Sequence, residues 1–140
     1  MIVVERATED DLAELLAIDH SGEAGERDRH LTDAVRNRQA LIARVGEERV
    51  GFAVVNQSFF GQHFVELLMV HADFRRRGVA SALMHYVEKT RPNQKLFTST
   101  NESNLPMQAL LDKLGYSRSG YVENLDEGDP ELIYFKRAAG

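Results

Sequence analysis

The stretch from His63 to Arg91 limits the fold more than any other: an apolar strand runs through a short turn and a run of arginines straight into a helix. In His63-Phe-Val-Glu-Leu-Leu-Met-Val70, Phe64, Leu68 and Val70 point one way while Val65, Leu67 and Met69 point the other. A strand that is apolar on both faces belongs in the middle of a covered sheet. His71-Ala72-Asp73-Phe74 breaks the alternation, and the helix opening at Gly78 repeats Val79, Leu83 and Val87 every four residues. The first turn of a helix leaves backbone N–H groups unpaired and carries partial positive charge, so strand, turn, glycine and helix together predict a seat for phosphate or pyrophosphate. Gly78 admits close approach to the backbone, and Ala80 adds little obstruction. Alone, three consecutive arginines are a solvated charge run; the strand before and the glycine after favour the anion site. The stretch is neither a Walker A loop, lacking Gly-Lys-Ser/Thr, nor a dinucleotide fingerprint, lacking Gly-x-Gly-x-x-Gly.

Elsewhere the chain reads as alternating strands and helices. Residues 1–6 form a first strand, and Thr8 followed by Glu9, Asp10 and Asp11 opens a helix that places Leu12, Leu15, Leu16 and Asp19 on one face and stops near Ser21-Gly22. A thin stripe of Leu31, Ala34 and Val35 predicts a second helix within residues 22–39. Residues 40–45 and 50–56 are strands joined by the four-residue loop Gly-Glu-Glu-Arg, and residues 57–62 lead into the central strand. A helix to about Thr90, a stop at Arg91-Pro92-Asn93 and a strand over 95–100 imply parallel pairing through a right-handed crossover. Asn104 caps a last helix with Met107, Leu110, Leu111 and Leu114 on one stripe, ended by Gly115. Residues 116–123 and 131–136 close the sheet on either side of an acidic turn. The order β-α-α-β-β-β-α-β-α-β-β predicts an α+β fold: one domain over residues 1–140, with a mixed sheet of six or seven strands flanked by about four helices.

The segment Leu68-x-Val70-x-x-x-x-Arg75-x-x-Gly78-x-Ala80 resembles the acyl-CoA signature of the GNAT superfamily of N-acetyltransferases, and the element order resembles its fold over nearly the whole chain. A second signature agrees with it: Asn104, Met107, Leu110, Gly115 and Tyr116 stand where the family commonly carries Asn, an apolar residue, Leu, Gly and an aromatic. The resemblance implies acetyl-CoA as co-substrate and no metal. It implies that the pantetheine arm pairs with the backbone of Leu68, Met69 and Val70, whose N–H groups would also polarise the thioester carbonyl. The pyrophosphate would rest on backbone N–H groups from Arg75, Arg76 and Arg77 through Gly78, Val79 and Ala80. Asn104, besides capping, would hydrogen-bond the coenzyme. The acceptor would be a small-molecule or peptide amine, and edge-strand homodimers are common in the family.

Transfer of an acetyl group from a thioester to an amine needs an unprotonated amine, a polarised carbonyl and a tolerable leaving thiolate. Glu66 is the first candidate for the base, because it interrupts an apolar strand beside the expected reaction site, and desolvation favours a carboxylate as a base there. Its bland reading is a carboxylate paired with an arginine or pointing to an open edge. His20 and His63 are weaker candidates. The family's usual tyrosine acid is replaced by Leu111, with Tyr116, Tyr121, Tyr134 and Ser103 as remaining hydroxyls. Glu123, Asp126, Glu127, Asp129 and Glu131 could draw a cationic acceptor or form a solvated turn, and Phe59 and Phe60 could line the acceptor mouth or lie in the core.

Composition narrows the classes. Cysteine is absent, which excludes an acetyl-cysteine enzyme and thiolate metal sites. A net charge of −5 argues against nucleic acid as partner, including transfer RNA. With no long apolar run and no basic leader, a cytoplasmic protein without membrane attachment is expected. The leading expectation is an acetyl-CoA-dependent N-acetyltransferase acting by direct attack. The alternative is a catalytically weak acyl-CoA-binding module, favoured by Leu111.

Overall fold

The computed structural model describes residues 1–19 and 25–140. Seven strands run β1 (Ile2–Arg6), β2 (Ala40–Val45), β3 (Glu48–Phe59), β4 (Gln62–Val70), β5 (Lys95–Asn101), β6 (Ser117–Val122) and β7 (Glu131–Arg137). The helices are α1 (Leu12–Ile18), α2 (Glu26–Arg36), α3 (Val79–Lys89) and α4 (Leu105–Lys113). The strands form one mixed sheet in the order β1-β2-β3-β4-β5-β7-β6. The expected element order and fold are present. His20 and the expected helix stop at Ser21-Gly22 lie outside the described residues. Among the described residues, no helix is long and apolar enough to cross a membrane.

Two compact units share the sequence: Met1–Val55 with Leu67–Val87, and Asn56–Glu66 with Glu88–Gly140. In the first, Leu15 and Ile18 of α1 and Leu31, Ala34 and Val35 of α2 pack with Ala40, Ile42, Phe52 and Val54 of the strands. The start of α1 is fixed electrostatically. Thr8 caps a short 3-10 turn, Glu9–Asp11, and its N–H donates to the Asp11 carboxylate at 2.8 Å. Asp11 is fully buried and accepts from Arg49 Nε at 2.6 Å and Arg44 Nη2 at 3.1 Å. Burial raises this carboxyl, but the Thr8 N–H and the guanidinium groups of Arg49 and Arg44 outweigh it and hold the group below its usual range. In the second unit, β5 pairs with β7 along its whole length, and Leu96, Thr98, Thr100, Leu132 and Tyr134 are buried.

Three expectations are corrected. The β2–β3 loop has two residues, not four: Val45 pairs with Glu48 across Gly46-Glu47, and Gly46 has φ 60. Residues 57–59 continue β3 instead of forming a linker, and the turn to β4 is Phe60-Gly61, both at positive φ (52 and 74) as a type I′ turn demands. Along β4 only Val65 is buried and the other residues are half-buried. The doubly apolar strand is therefore not covered on both faces; β3, with its run of buried residues, is the covered strand.

Candidate active site

β4 carries the three residues expected to meet pantetheine, and its hydrogen bonding changes along its length. Its parallel ladder with β5 spans His63 to Val65. Further along, His71 N–H donates to Val50 C=O at 2.8 Å, and the Met69 carbonyl lies against Gly51. Peptide groups alternate sides along a strand, so those of Leu68 and Val70 face away from β3. Of the three residues expected to meet pantetheine, Met69 thus has its carbonyl turned towards β3. Gly51 permits this closeness: a Cβ there would lie 2.9 Å from the Met69 oxygen and 2.8 Å from Val79 Cγ1.

The chain then turns tightly into α3. His71 Nδ1 accepts the Asp73 N–H at 3.1 Å, and Phe74 N–H donates to His71 C=O at 2.9 Å, closing a 3-10 turn over Ala72–Phe74. The His71 ring meets the Phe74 ring edge-on at 5.7 Å, and Arg77 lies over that same ring at 5.2 Å. Arg76 and Gly78 both take left-handed backbone, at φ 64 and 85. Nothing crowds Gly78, so its glycine is required by conformation and not by space. Helix α3 begins at Val79, one residue later than expected, and its first bond runs from Ala82 N–H to Gly78 C=O at 3.0 Å. That leaves the N–H groups of Val79, Ala80 and Ser81 without intrahelical acceptors. Arg75, Arg76 and Arg77 are exposed, and none of them forms an ion pair with a described residue. Val79 buries its side chain, so only its backbone is available to a ligand.

Glu66 belongs to the second unit. Asn56 Nδ2 donates to its Oε2 at 3.0 Å, while Ser58 donates from both N and Oγ to Asn56 Oδ1 at 3.0 and 2.6 Å. Sequence reading missed Asn56 and Ser58, because ending β3 at Asn56 hid their alternation towards Glu66. His63 stands at the start of β4, where burial and the nearby Arg91 charge hold its imidazole below the ordinary value.

The hydroxyl candidates separate clearly. Leu111 is fully buried. Tyr116 is buried and donates to Glu88 Oε2 at 3.0 Å, and Glu88 also receives Lys136 Nζ at 2.9 Å. Burial and the Glu88 charge push the Tyr116 phenol far above its ordinary range. Ser103 Oγ donates to Asp129 at 2.6 Å, Tyr121 is 64% exposed on β6, and the buried Tyr134 hydroxyl has no partner among the described residues. Asn104 caps α4 as expected, accepting Met107 N–H at 3.2 Å. A cavity of about 390 Å³ lies within the acidic hairpin, lined by Glu102, Glu123, Asn124, Asp126, Gly128, Asp129 and Pro130. Asn101 holds Asp126 at 2.8 Å.

Residues 9–116 match the model of the acetyltransferase (GNAT) family. An acetyltransferase of that family from Bacillus cereus ATCC 10987 superposes with a TM-score of 0.93 at 37% identity, over 100% of this chain and 99% of that one. The chain therefore belongs to the GNAT acetyltransferase family and is an acyltransferase. The ribosomal-protein-S18-alanine N-acetyltransferase from Escherichia coli shares the fold at TM-score 0.82 and 15% identity, over 100% and 96% of the two chains. So does Arabidopsis thaliana Naa50, solved in complex with the bisubstrate analogue CoA-Ac-MVNAL, at TM-score 0.77 and 15% identity over 96% and 97%. No curated protein matches the chain.

Proposed function

We propose that residues 1–140 act as one domain that moves the acetyl group of acetyl-CoA to a primary amine by direct attack in a ternary complex. The observation that carries this reading is the loop from Arg75 to Gly78, with exposed arginines, two left-handed residues and the N–H groups of Val79, Ala80 and Ser81, which have no intrahelical acceptors, behind it. That is the donor set a pyrophosphate requires. The pantetheine arm would pair with Leu68 and Val70, whose peptide groups face away from β3, while Met69 keeps the strand in place. Asn104 would turn its free amide to the coenzyme.

Acetyl-CoA supplies the thioester and its leaving thiol. Glu66, held by Asn56, accepts a proton from the ammonium directly or through water. The freed nitrogen forms the C–N bond, the C–S bond breaks as the nitrogen sheds its surplus proton to solvent, and the thiolate leaves. A thiol of pKa near ~8.5 released unprotonated at neutral pH costs about 2 kcal/mol, so solvent can protonate it afterwards without a protein acid. The acidic hairpin raises the local concentration of a cationic acceptor.

The buried Leu111 favours a second reading, an acyl-CoA-binding module with little turnover. Free-thiol release from acetyl-CoA across a panel of amines separates the two, since a chain without cysteine adds no thiol background. Amine-dependent release that falls ~10²-fold or more in Glu66→Gln, with acetyl-CoA affinity kept, supports the transferase. Acetyl-CoA binding without release for any amine supports the module.

A further inference from the structure

One sheet face of the second unit carries a row of aromatic rings. Phe64 opposes Phe97 in the β4–β5 ladder, and Phe97 opposes Phe135 in the β5–β7 ladder. Phe59 stacks on Phe64 at 5.1 Å, and it lies 5.2 Å from Phe97, which in turn lies 5.2 Å from Phe135. All four rings are half-buried, whereas Leu96, Thr98 and Tyr134, which alternate with them, are fully covered. The sheet therefore keeps its core on one side and holds an apolar aromatic surface on the other. A row of partly exposed rings offers apolar contact to an aromatic ligand.

Position and charge indicate the occupant. Glu66 follows Phe64 by two residues and so shares its face, roughly 7 Å along the strand. The β5–β7 ladder runs from the cationic pair Lys95 and Arg137 at one end to Asn101 and Glu131 at the other. Asn101 and Ser103 add Asp126 and Asp129 to the acidic end. The potential across the face thus falls from positive to negative in the direction from the rings to Glu66. An ammonium group is drawn towards Glu66, and a second ammonium at the far end meets Lys95 and Arg137.

We propose that this face seats the acceptor, and that the acceptor is a primary amine carrying an aromatic ring, not a polyamine. The inference rests on the transferase reading above. The acceptor ring packs on the phenylalanine row at the 4.5–7 Å separations aromatic pairs prefer, which brings its nitrogen to Glu66. Glu66 takes the ammonium proton, the nitrogen bonds to the acetyl carbon and loses its surplus proton to solvent, and coenzyme A departs as thiolate as the C–S bond breaks.

The test compares phenethylamine, propylamine and spermidine as acceptors in the thiol-release assay, for the intact chain and for Phe97→Leu and Phe135→Leu. Leucine keeps the apolar volume, and a thermal melt verifies folding. The expected result is a kcat/KM for phenethylamine at least ~10-fold above both other amines, reduced ~10-fold in each variant with the KM for acetyl-CoA unchanged. Equal use of the three amines, a preference for spermidine, or variants that leave the phenethylamine rate intact would overturn the inference and leave the transferase reading standing. No thiol from any amine would overturn both.

Discussion

Gly51→Ala tests how the fold holds Met69 of β4. The new Cβ would sit 2.8 Å from Val79 Cγ1 and 2.9 Å from the Met69 carbonyl oxygen. Both distances are closer than a methyl group tolerates, and one of the two obstructing atoms is backbone. Overpacking of this kind costs about 1–3 kcal/mol, against which the reduced entropy of the unfolded chain returns about 0.4–1 kcal/mol. At roughly 3 °C per kcal/mol for a chain of this size, the melting temperature should fall by several degrees. Relief by moving Met69 would also displace the neighbouring peptide groups of Leu68 and Val70. Calorimetric titration should therefore show acetyl-CoA binding ~5-fold to ~10-fold weaker, about 1–1.4 kcal/mol. A Gly51→Ala protein that melts and binds like the parent would refute the claim that the Met69 carbonyl is pinned against this glycine.

Four further outcomes follow from the contacts described above. Asp11→Ala should cost about 2–4 kcal/mol in urea unfolding at neutral pH, less than for a fully enclosed pair because Arg44 and Arg49 reach solvent. Since the folded Asp11 carboxyl lies below its unfolded value, its contribution is complete above about pH 4 and is lost as pH falls through the folded value; Asp11→Asn should flatten that acid limb. Arg76→Gly should raise the melting temperature slightly by relieving about 1 kcal/mol of left-handed strain, while weakening acetyl-CoA binding through the lost charge. Tyr116→Phe should lose about 1 kcal/mol of stability with kcat unchanged; a large fall in kcat would make Tyr116 a proton donor instead of a strut for Glu88.

Local signals were legible and long-range ones were not. The arginine loop, the cap at Asn104 and the order of elements are written in residue types that act on their immediate neighbours. Asn56 and Ser58 looked like the end of a strand, because polar residues at alternate positions resemble a loop until the partner carboxylate ten residues on is placed beside them. β4 reads as a covered strand, because an apolar run broken only by Glu66 does not distinguish a covered strand from a half-buried one. Asp11, Arg44 and Arg49 are spread over three elements, so no spacing rule joins them. Tyr116 and Glu88 carry no sign of each other in the chain, and only folding shows that this hydroxyl is committed to structure.

The central claim is that acetyl-CoA lies along Leu68–Val70 and on the N-terminus of α3. Amide hydrogen exchange followed by NMR, with and without acetyl-CoA, tests it residue by residue. The account predicts slowed exchange at Leu68, Val70, Val79, Ala80 and Ser81 with little change at Met69, whose peptide group faces β3. Protection confined to other segments, with these amides exchanging as freely as before, would contradict it.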